Sequence, residues 1–509
     1  MERSDHRYQA TLHHLLDRIN YEKSSDRPYT LNNFKLARMA YLLERLGNPH
    51  LDAPAIHIAG TKGKGSVCWL LAEAFRRSGL RTGLFTSPHL VDLEERFVVD
   101  SQAIVPEELV EIVDQIRSAE EDCSKSQHGP PTFFEMTTAM AWLAFRNRKT
   151  QVNVIEVGLG GRLDSTNVCG PDLCIITSIS YDHQQQLGNS LSEIAGEKAG
   201  IIKPSIPVIC GARAPEAYRV IQQKAIDQGS ELWQLGRDFH VHWTPNPDTL
   251  QATIDYSPDY DSPDYDLPDF DLPDYYSTDQ AHIALPASSK HPNSHPPGHH
   301  ASGHHASRPY SLRMLGKHQA DNAALAIAAW DKLKQLNWKL NDSALAESLA
   351  NTQVPARMEI LSSDPLLILD TAHNEASIDA LAETLESYFP KRSKSILFAC
   401  SRDKKAAEMI QRLCDTADRI ILTQFQSNPR FTPVEKLLAM AEQAVGRRRQ
   451  AGLRAPEILS TQDLLGAIEL SRQAIAPGRP ASDAVHVITG SFFIATEAKS
   501  YFASVGLIR

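Results

Sequence analysis

Ala55-Ile56-His57-Ile58-Ala59-Gly60-Thr61-Lys62-Gly63-Lys64-Gly65-Ser66, running on into the amphipathic stretch Val67–Ser78, decides the fold class. Ala55–Ala59 reads as a buried strand and Val67–Ser78 as a helix. Between them the glycines let the backbone curl until its N–H groups converge on phosphate oxygens, and the helix N-terminus adds the positive end of its dipole. Lys64 reaches the outer phosphates, and Ser66 is placed to touch a divalent cation. The strict pattern G-x-x-x-x-G-K-[ST] is not met, because Gly65 follows the lysine. A glycine-rich turn with incidental lysines is the plain alternative. Alone, the segment says nucleotide binding and no more.

Outward from this loop, short apolar runs alternate with helical patterns. Thr82–Thr86, Val152–Val157, Leu173–Ser178 and Val208–Cys210 read as strands, and Glu107–Ala119 and Thr137–Arg146 as helices. That alternation predicts an α/β fold with a mainly parallel sheet covered by helices. Asp321–Leu336 is Ala-rich and helical. A second alternation follows: strands at Leu366–Asp370, Ile396–Cys400, Ile420–Thr423 and Val485–Thr489, with a helix at Glu375–Tyr388. The chain of 509 residues is too long for one core, at roughly 100–200 residues per domain. We place the boundary near Gln353–Arg357, giving an N-terminal unit of residues 1–354 and a smaller α/β unit of residues 355–509.

Residues 245–310 break the composition. Ser257–Tyr276 repeats as SPDYD, SPDYD, LPDFD, LPDYY, and a histidine-rich tract runs from His291 to Ser307. The stretch holds 11 of the 30 prolines and a net charge of −8 out of the chain's −10, so the body is nearly neutral. Frequent proline and little aliphatic surface predict a disordered or polyproline-like insertion. Its seven histidines between His282 and His305 suit a transition metal, against the plainer reading of a solvated loop.

The balance of 52 Lys+Arg against 62 Asp+Glu argues against nucleic acid or an anionic membrane surface as partner. No apolar run approaches the ~20 residues needed to span a bilayer, and the N-terminus has no signal-peptide core. Seven cysteines, none in a CxxC pair, fit a reducing compartment. The expectation is a cytoplasmic protein.

Three polar clusters follow expected strands, where open α/β sheets place their sites. They are Thr86-Ser87-Pro88-His89, Glu156 to Asp164, and Asp182-His183. A hydroxyl, a carboxylate and an imidazole converging from adjacent strand ends suit Mg²⁺, which needs few protein ligands. Capping and turn chemistry is the plain alternative for each. Glu193–Ile202 reads as a helix whose Lys198 points at the same strand ends, or is simply a surface lysine.

Taken together, HIAGTKGKGS, TSPHL, EVGLGGRLDSTNV, SYDH with EKAGIIK, GKHQADNAALAIAA, ARMEIL and DTAHNEAS resemble the folylpolyglutamate synthase/dihydrofolate synthase family. These are Mur-ligase-like, ATP-dependent amide ligases. The match runs from about Leu31 to the C-terminus, apart from 245–310. The resemblance implies a Mur-ligase-like phosphate-loop ATPase unit followed by a Rossmann-like unit. It implies ATP contacts from Gly60, Thr61, Lys62, Gly63, Lys64, Gly65, Ser66, Asn322, Arg357 and Asp370. Ser87, Glu156, His183 and a carbamylated Lys198 would hold Mg²⁺, and Lys64, Lys198 and His373 would serve catalysis. The pterin and its linker would lie near Thr132, Phe133, Phe134, Glu135, Leu163, Asp164 and Ser165. Folate or dihydropteroate and L-glutamate would be the substrates, and the chain would be a monomer. Three departures stand out: Lys62 replaces the family's Asn, Ala356 replaces a Gly, and Gln184-Gln185-Gln186 replaces a run that often carries Thr and Asp.

Two other readings fit parts of the chain. A cell-wall Mur ligase shares the phosphate loop, but only about 55 residues precede that loop here. A phosphate-loop NTPase scaffold would use the acidic, His-rich stretch to dock a partner.

Overall fold

All five side chains of Ala55–Ala59 are buried, and the strand lies near the middle of an eight-stranded sheet. The computed structural model describes residues 2–20, 36–259, 307–473 and 483–507. Across that sheet the strands run Gln102–Ala103, Phe97–Val99, Thr82–Phe85, Val152–Glu156, Ala55–Ala59, Leu173–Ile176, Val208–Cys210 and Leu232–Gln234. Pairing is parallel from Thr82–Phe85 to Leu232–Gln234, and the first two strands are antiparallel additions. Continuous apolar strands make sense here because helices cover both faces. Lys64–Arg77 and Lys317–Gln335 supply one core, and Pro106–Lys125 and Phe133–Asn147 another.

Several helices start earlier than their apolar periodicity indicates. The helix expected from Val67 begins at Lys64, after Gly63 in the left-handed region. The one expected from Thr137 begins at Phe133, where Thr132 and Glu135 form a capping box. Periodicity marks the buried face; the polar first turn is set by the cap.

A six-stranded sheet follows, in the order Glu359–Ser363, Leu366–Leu369, Val485–Thr489, Lys394–Phe398, Arg419–Leu422, Glu457–Ser460. All pairs but the first are parallel. Its helices include Glu375–Tyr388 on one side and Phe492–Ser504 on the other.

The flanks of the expected insertion are not irregular. Phe239–Asn246, Gln251–Pro258 and Arg308–Leu312 form a three-stranded antiparallel sheet. The reason is alternation: Ala252, Ile254 and Tyr256 are buried while Thr253 is exposed, so one face packs on the helix Lys317–Gln335. Residues 260–306, with most of the Pro-Asp repeat and the histidine tract, lie outside the described residues.

This small sheet also reaches the second unit. The Trp243 ring centroid lies 6.1 Å from that of Tyr388, and Leu315 belongs to the core around Glu375–Tyr388. All seven cysteines are free and buried. Among the described residues no helix is long and apolar enough to cross a membrane.

Candidate functional site

The loop after Ala59 holds its shape through two glycines. Gly60 and Gly63 adopt φ of +146° and +87°. A Cβ on Gly60 would meet Thr177 Oγ1 at 1.8 Å, and one on Gly63 would meet Asn322 Oδ1 at 2.1 Å. Neither position tolerates a side chain. The Thr61 N–H donates to Ser178 O at 2.7 Å, and Thr177 Oγ1 donates to Lys62 O at 2.6 Å. The neighbouring strand Leu173–Ile176 and its exit therefore clamp the loop. Gly65 and Ser66 lie in the first turn of the helix that follows.

Three lysines gather on this loop. Lys64 Nζ donates to Gly60 O at 3.3 Å and lies 3.9 Å from Glu156 Oε1. Lys62 Nζ donates to Asp182 Oδ2 at 3.2 Å. Lys198 projects from the helix Leu191–Ala199, which Ser190 and Glu193 cap. Lys198 is 4% exposed and donates to Gly60 O at 2.9 Å. Burial, with the charge of Lys64 behind it, lowers its pKa to about 7, so near neutrality much of it is an uncharged amine.

Glu156 ends the strand Val152–Glu156 and is 5% exposed. Its Oε2 accepts the Ser87 N–H at 3.2 Å, and burial pushes its pKa up against the pull of Lys64. A buried carboxylate with so few donors suits a cation. Lys64 acts electrostatically on Glu156 and on His183. His183 has φ +50° and stands exposed at the cleft mouth. Among the described residues no three His, Cys, Asp or Glu gather into a cage. Of the expected ligand set, only Glu156 and the Ser87 backbone are in direct contact, while the His183 ring lies 3.9 Å from Asp182 Oδ1.

The second unit closes over these groups. The Arg357 Nη1 donates to Thr371 Oγ1 at 2.8 Å, and its guanidinium lies 5.5 Å from the Phe492 ring centroid. The charge of Arg357 is felt at Lys62 and at Glu156. Asp370 is buried, and its oxygens accept the Met358 and Ala372 N–H groups at 2.9 and 2.7 Å. His373 hydrogen-bonds Thr371 O through Nδ1 at 2.8 Å. Burial, then Lys62, pushes its pKa down to about 3, so it is neutral. A further docking point is Leu90, three residues past Ser87. It is buried in the core around Ile494 and Ala495, and its carbonyl accepts the Thr496 hydroxyl at 2.6 Å.

The residues expected around the pterin divide in two. Phe134 is partly exposed, and its ring covers Gly158, where a Cβ would sit 2.3 Å from it. Phe133 is 1% exposed and packs in the core, so it offers no stacking face. Glu135 is paired with Arg38 at 2.8 Å and caps its own helix through Thr132. Leu163 is buried core. Asp164 accepts the Leu159 N–H at 2.8 Å and the Thr166 N–H at 3.0 Å, and Ser165 Oγ lies 2.7 Å from Thr138 Oγ1. Most of this set is buried, with its polar groups already paired within the protein.

Residue-by-residue reading of the sequence missed two groups near the cleft, Lys404 and His318, and did not anticipate the pairing of Asp182 with Lys62. Asp182 partners Lys62, Lys404 lies within electrostatic reach of His183 and His373, and the half-buried His318 is within electrostatic reach of Arg357. Asp182 had a local signal in its neighbour His183. Lys404 had only its place after the strand Lys394–Phe398.

Residues 356–492 match the family model described as Mur ligase, glutamate ligase domain. The dihydrofolate synthase/folylpolyglutamate synthase of Bacillus subtilis is 34% identical over 392 residues, covering 77% of this chain and 81% of that protein. The enzyme of the same description from Mycobacterium tuberculosis is 30% identical over 502 residues, covering 93% and 91%. Among solved structures, M. tuberculosis folylpolyglutamate synthase complexed with ADP and AMPPCP aligns with a TM-score of 0.77 at 26% identity, over 98% of this chain and 99% of that one. Folylpolyglutamate synthase from Thermotoga maritima aligns at 0.74 and 27%, over 99% and 98%.

Proposed function

Because the chain belongs to the folylpolyglutamate synthase/dihydrofolate synthase family, we propose that it ligates L-glutamate to a folate, to dihydropteroate, or to both, driven by ATP through an acyl phosphate. The reading rests on one observation above others: the phosphate-loop lysines, Glu156 and the Ser87 loop share one cleft floor, with Arg357 and His373 reaching it from the second unit.

A carboxylate is a poor electrophile, and phosphorylation by ATP supplies the leaving group that amide formation needs. The substrate carboxylate attacks the γ-phosphoryl group and ADP leaves. The glutamate amine then attacks the acyl carbon, loses its proton, and inorganic phosphate departs. Side chains contribute position and charge more than covalent chemistry. Lys64 offsets developing charge on the phosphates, and the clamped loop orients them through its N–H groups. Arg357 adds a cation from the second unit. Mg²⁺, when bound, would neutralise phosphate charge, held by Ser87, Glu156, His183 and a carbamylated Lys198. Closure of the two units, divided at residues 354 and 355, keeps water from the acyl phosphate. Phe134 is the side chain offered for pterin stacking. The partners are small molecules. We place the chain in the cytoplasm as a monomer, with neither nucleic acid nor membrane as partner.

The test is direct. Purified protein with ATP, Mg²⁺ and glutamate is offered dihydropteroate or tetrahydrofolate, and products are weighed by mass spectrometry. One added glutamate on either substrate is expected. Lys64→Ala, Glu156→Ala and His183→Ala should each lower turnover by ~10²–10³ with circular dichroism unchanged. ATP hydrolysis indifferent to both substrates would reject the reading.

A further inference from the structure

The three lysines at the loop have protein partners. Lys64 and Lys198 both donate to the Gly60 carbonyl, and Lys62 donates to Asp182. Of the three, only Lys62 has a carboxylate as its hydrogen-bond acceptor. Its backbone cannot drift: the N–H donates to Ser178 Oγ at 3.3 Å, and the carbonyl accepts from Thr177 Oγ1 at 2.6 Å. Only the side chain is free to swing. Asp182 is fixed as well, since its Oδ1 accepts the His183 N–H at 3.0 Å while Oδ2 receives Lys62. Arg357 acts electrostatically on Lys62, and His373 on Asp182.

We propose that Asp182 is an internal stand-in for phosphate: it holds Lys62 in an ion pair, and a triphosphate binds by taking Lys62 away from it. The inference rests on the nucleotide-binding reading above and deepens it. An ammonium bonded to a carboxylate at 3.2 Å is half-exposed here, with Lys62 and Asp182 side chains 32% and 19% exposed. A triphosphate brings more charge and more acceptor oxygens than one carboxylate, so the exchange favours the ligand. Asp182 competes with ATP, and the competition runs mainly through Lys62, its hydrogen-bond partner. Lys62 stands where related loops carry Asn, which could not form an ion pair.

ATP binding to the full chain, measured by calorimetry in EDTA, tests this without metal or ligation. Asp182→Asn is expected to tighten ATP about tenfold with Lys62 present. In a Lys62→Asn background the same change should alter affinity less than threefold, so the double-mutant cycle is non-additive. Lys62→Asn alone should weaken ATP and flatten the salt dependence of its Kd. Weaker or unchanged binding in Asp182→Asn, or the same factor in both backgrounds, overturns the exchange. Asp182→Ser serves in the same cycle if the Asn variant does not fold. Failure of the unaltered protein to bind ATP overturns the nucleotide reading itself.

Discussion

Arg357 is flanked by two residues bent against their preference. Ala356 and Met358 adopt φ of +52° and +49°, a region that costs a non-glycine residue roughly 1–2 kcal/mol. The turn is held by the Ala356 N–H donating to Glu359 at 2.7 Å and the Met358 N–H donating to Asp370 at 2.9 Å. The result aims the guanidinium at the cleft. Ala356→Gly should therefore raise stability by about 1 kcal/mol in urea unfolding, since the lost methyl is small. Lys198 gives a second measurable effect. In the folded protein its pKa is about 7, whereas an unfolded lysine titrates near 10.4. Between those values the unfolded chain binds more protons, so this group makes stability rise with pH, and its cost is full below pH 7. Lys198→Met should flatten that slope in CO₂-free buffer and be the more stable variant at pH 6. A slope identical to that of the unaltered chain would show the amine is not desolvated as described. At this scale the sequence was legible for groups that carry charge to strand ends, such as Lys64 and Glu156. The burial of Phe133, Glu135 and Asp164 was not legible: an aromatic or acid reads the same in the sequence whether it faces in or out.

Among the elements, the loop after Thr82–Phe85 links the two halves of the site. Ser87 donates its N–H to Glu156, and three residues later Leu90 is buried in the second unit beneath Thr496. The N–H groups of Leu90, Val91 and Asp92 all donate to the Glu95 carboxylate, at 2.7, 2.9 and 3.0 Å. So short a span, pinned at both ends, ties Ser87 to the second unit. Thr496→Val removes the donor and keeps the shape. It should raise the Mg²⁺ concentration needed for half-maximal turnover by about fivefold, the effect of roughly 1 kcal/mol. Thr496→Ser should restore it. Strands were read well from the sequence where they are mostly apolar and buried throughout, as at Ala55–Ala59 and Val485–Thr489. The edge strands Gln102–Ala103 and Phe239–Asn246 were missed because half or more of their side chains face solvent and carry no run of apolar residues.

For the molecule as a whole, the three-stranded sheet ties the units together away from the cleft. Trp243 leaves the first unit and packs on Tyr388 of the second. Trp243 is half-buried, so Trp243→Ala should cost less than the ~3–5 kcal/mol of a fully buried tryptophan and split a single thermal transition in calorimetry into two. One undivided transition would mean the units unfold together through other contacts. The two-sheet plan could be anticipated from the two alternations of strand and helix. The contact between the sheets could not, because Trp243 and Tyr388 lie 145 positions apart in the chain and neither position carries a local signature of its partner.

The burial of every thiol has a practical outcome. Burial raises the pKa of Cys169 and Cys210 to about 12 and of Cys123, Cys400 and Cys414 to about 11, so native sulfurs present little thiolate to a maleimide dye. Tyr181, 56% exposed beside Asp182, can be exchanged for cysteine and labelled selectively without first stripping the others. A fluorophore there would report the arrival of nucleotide in real time.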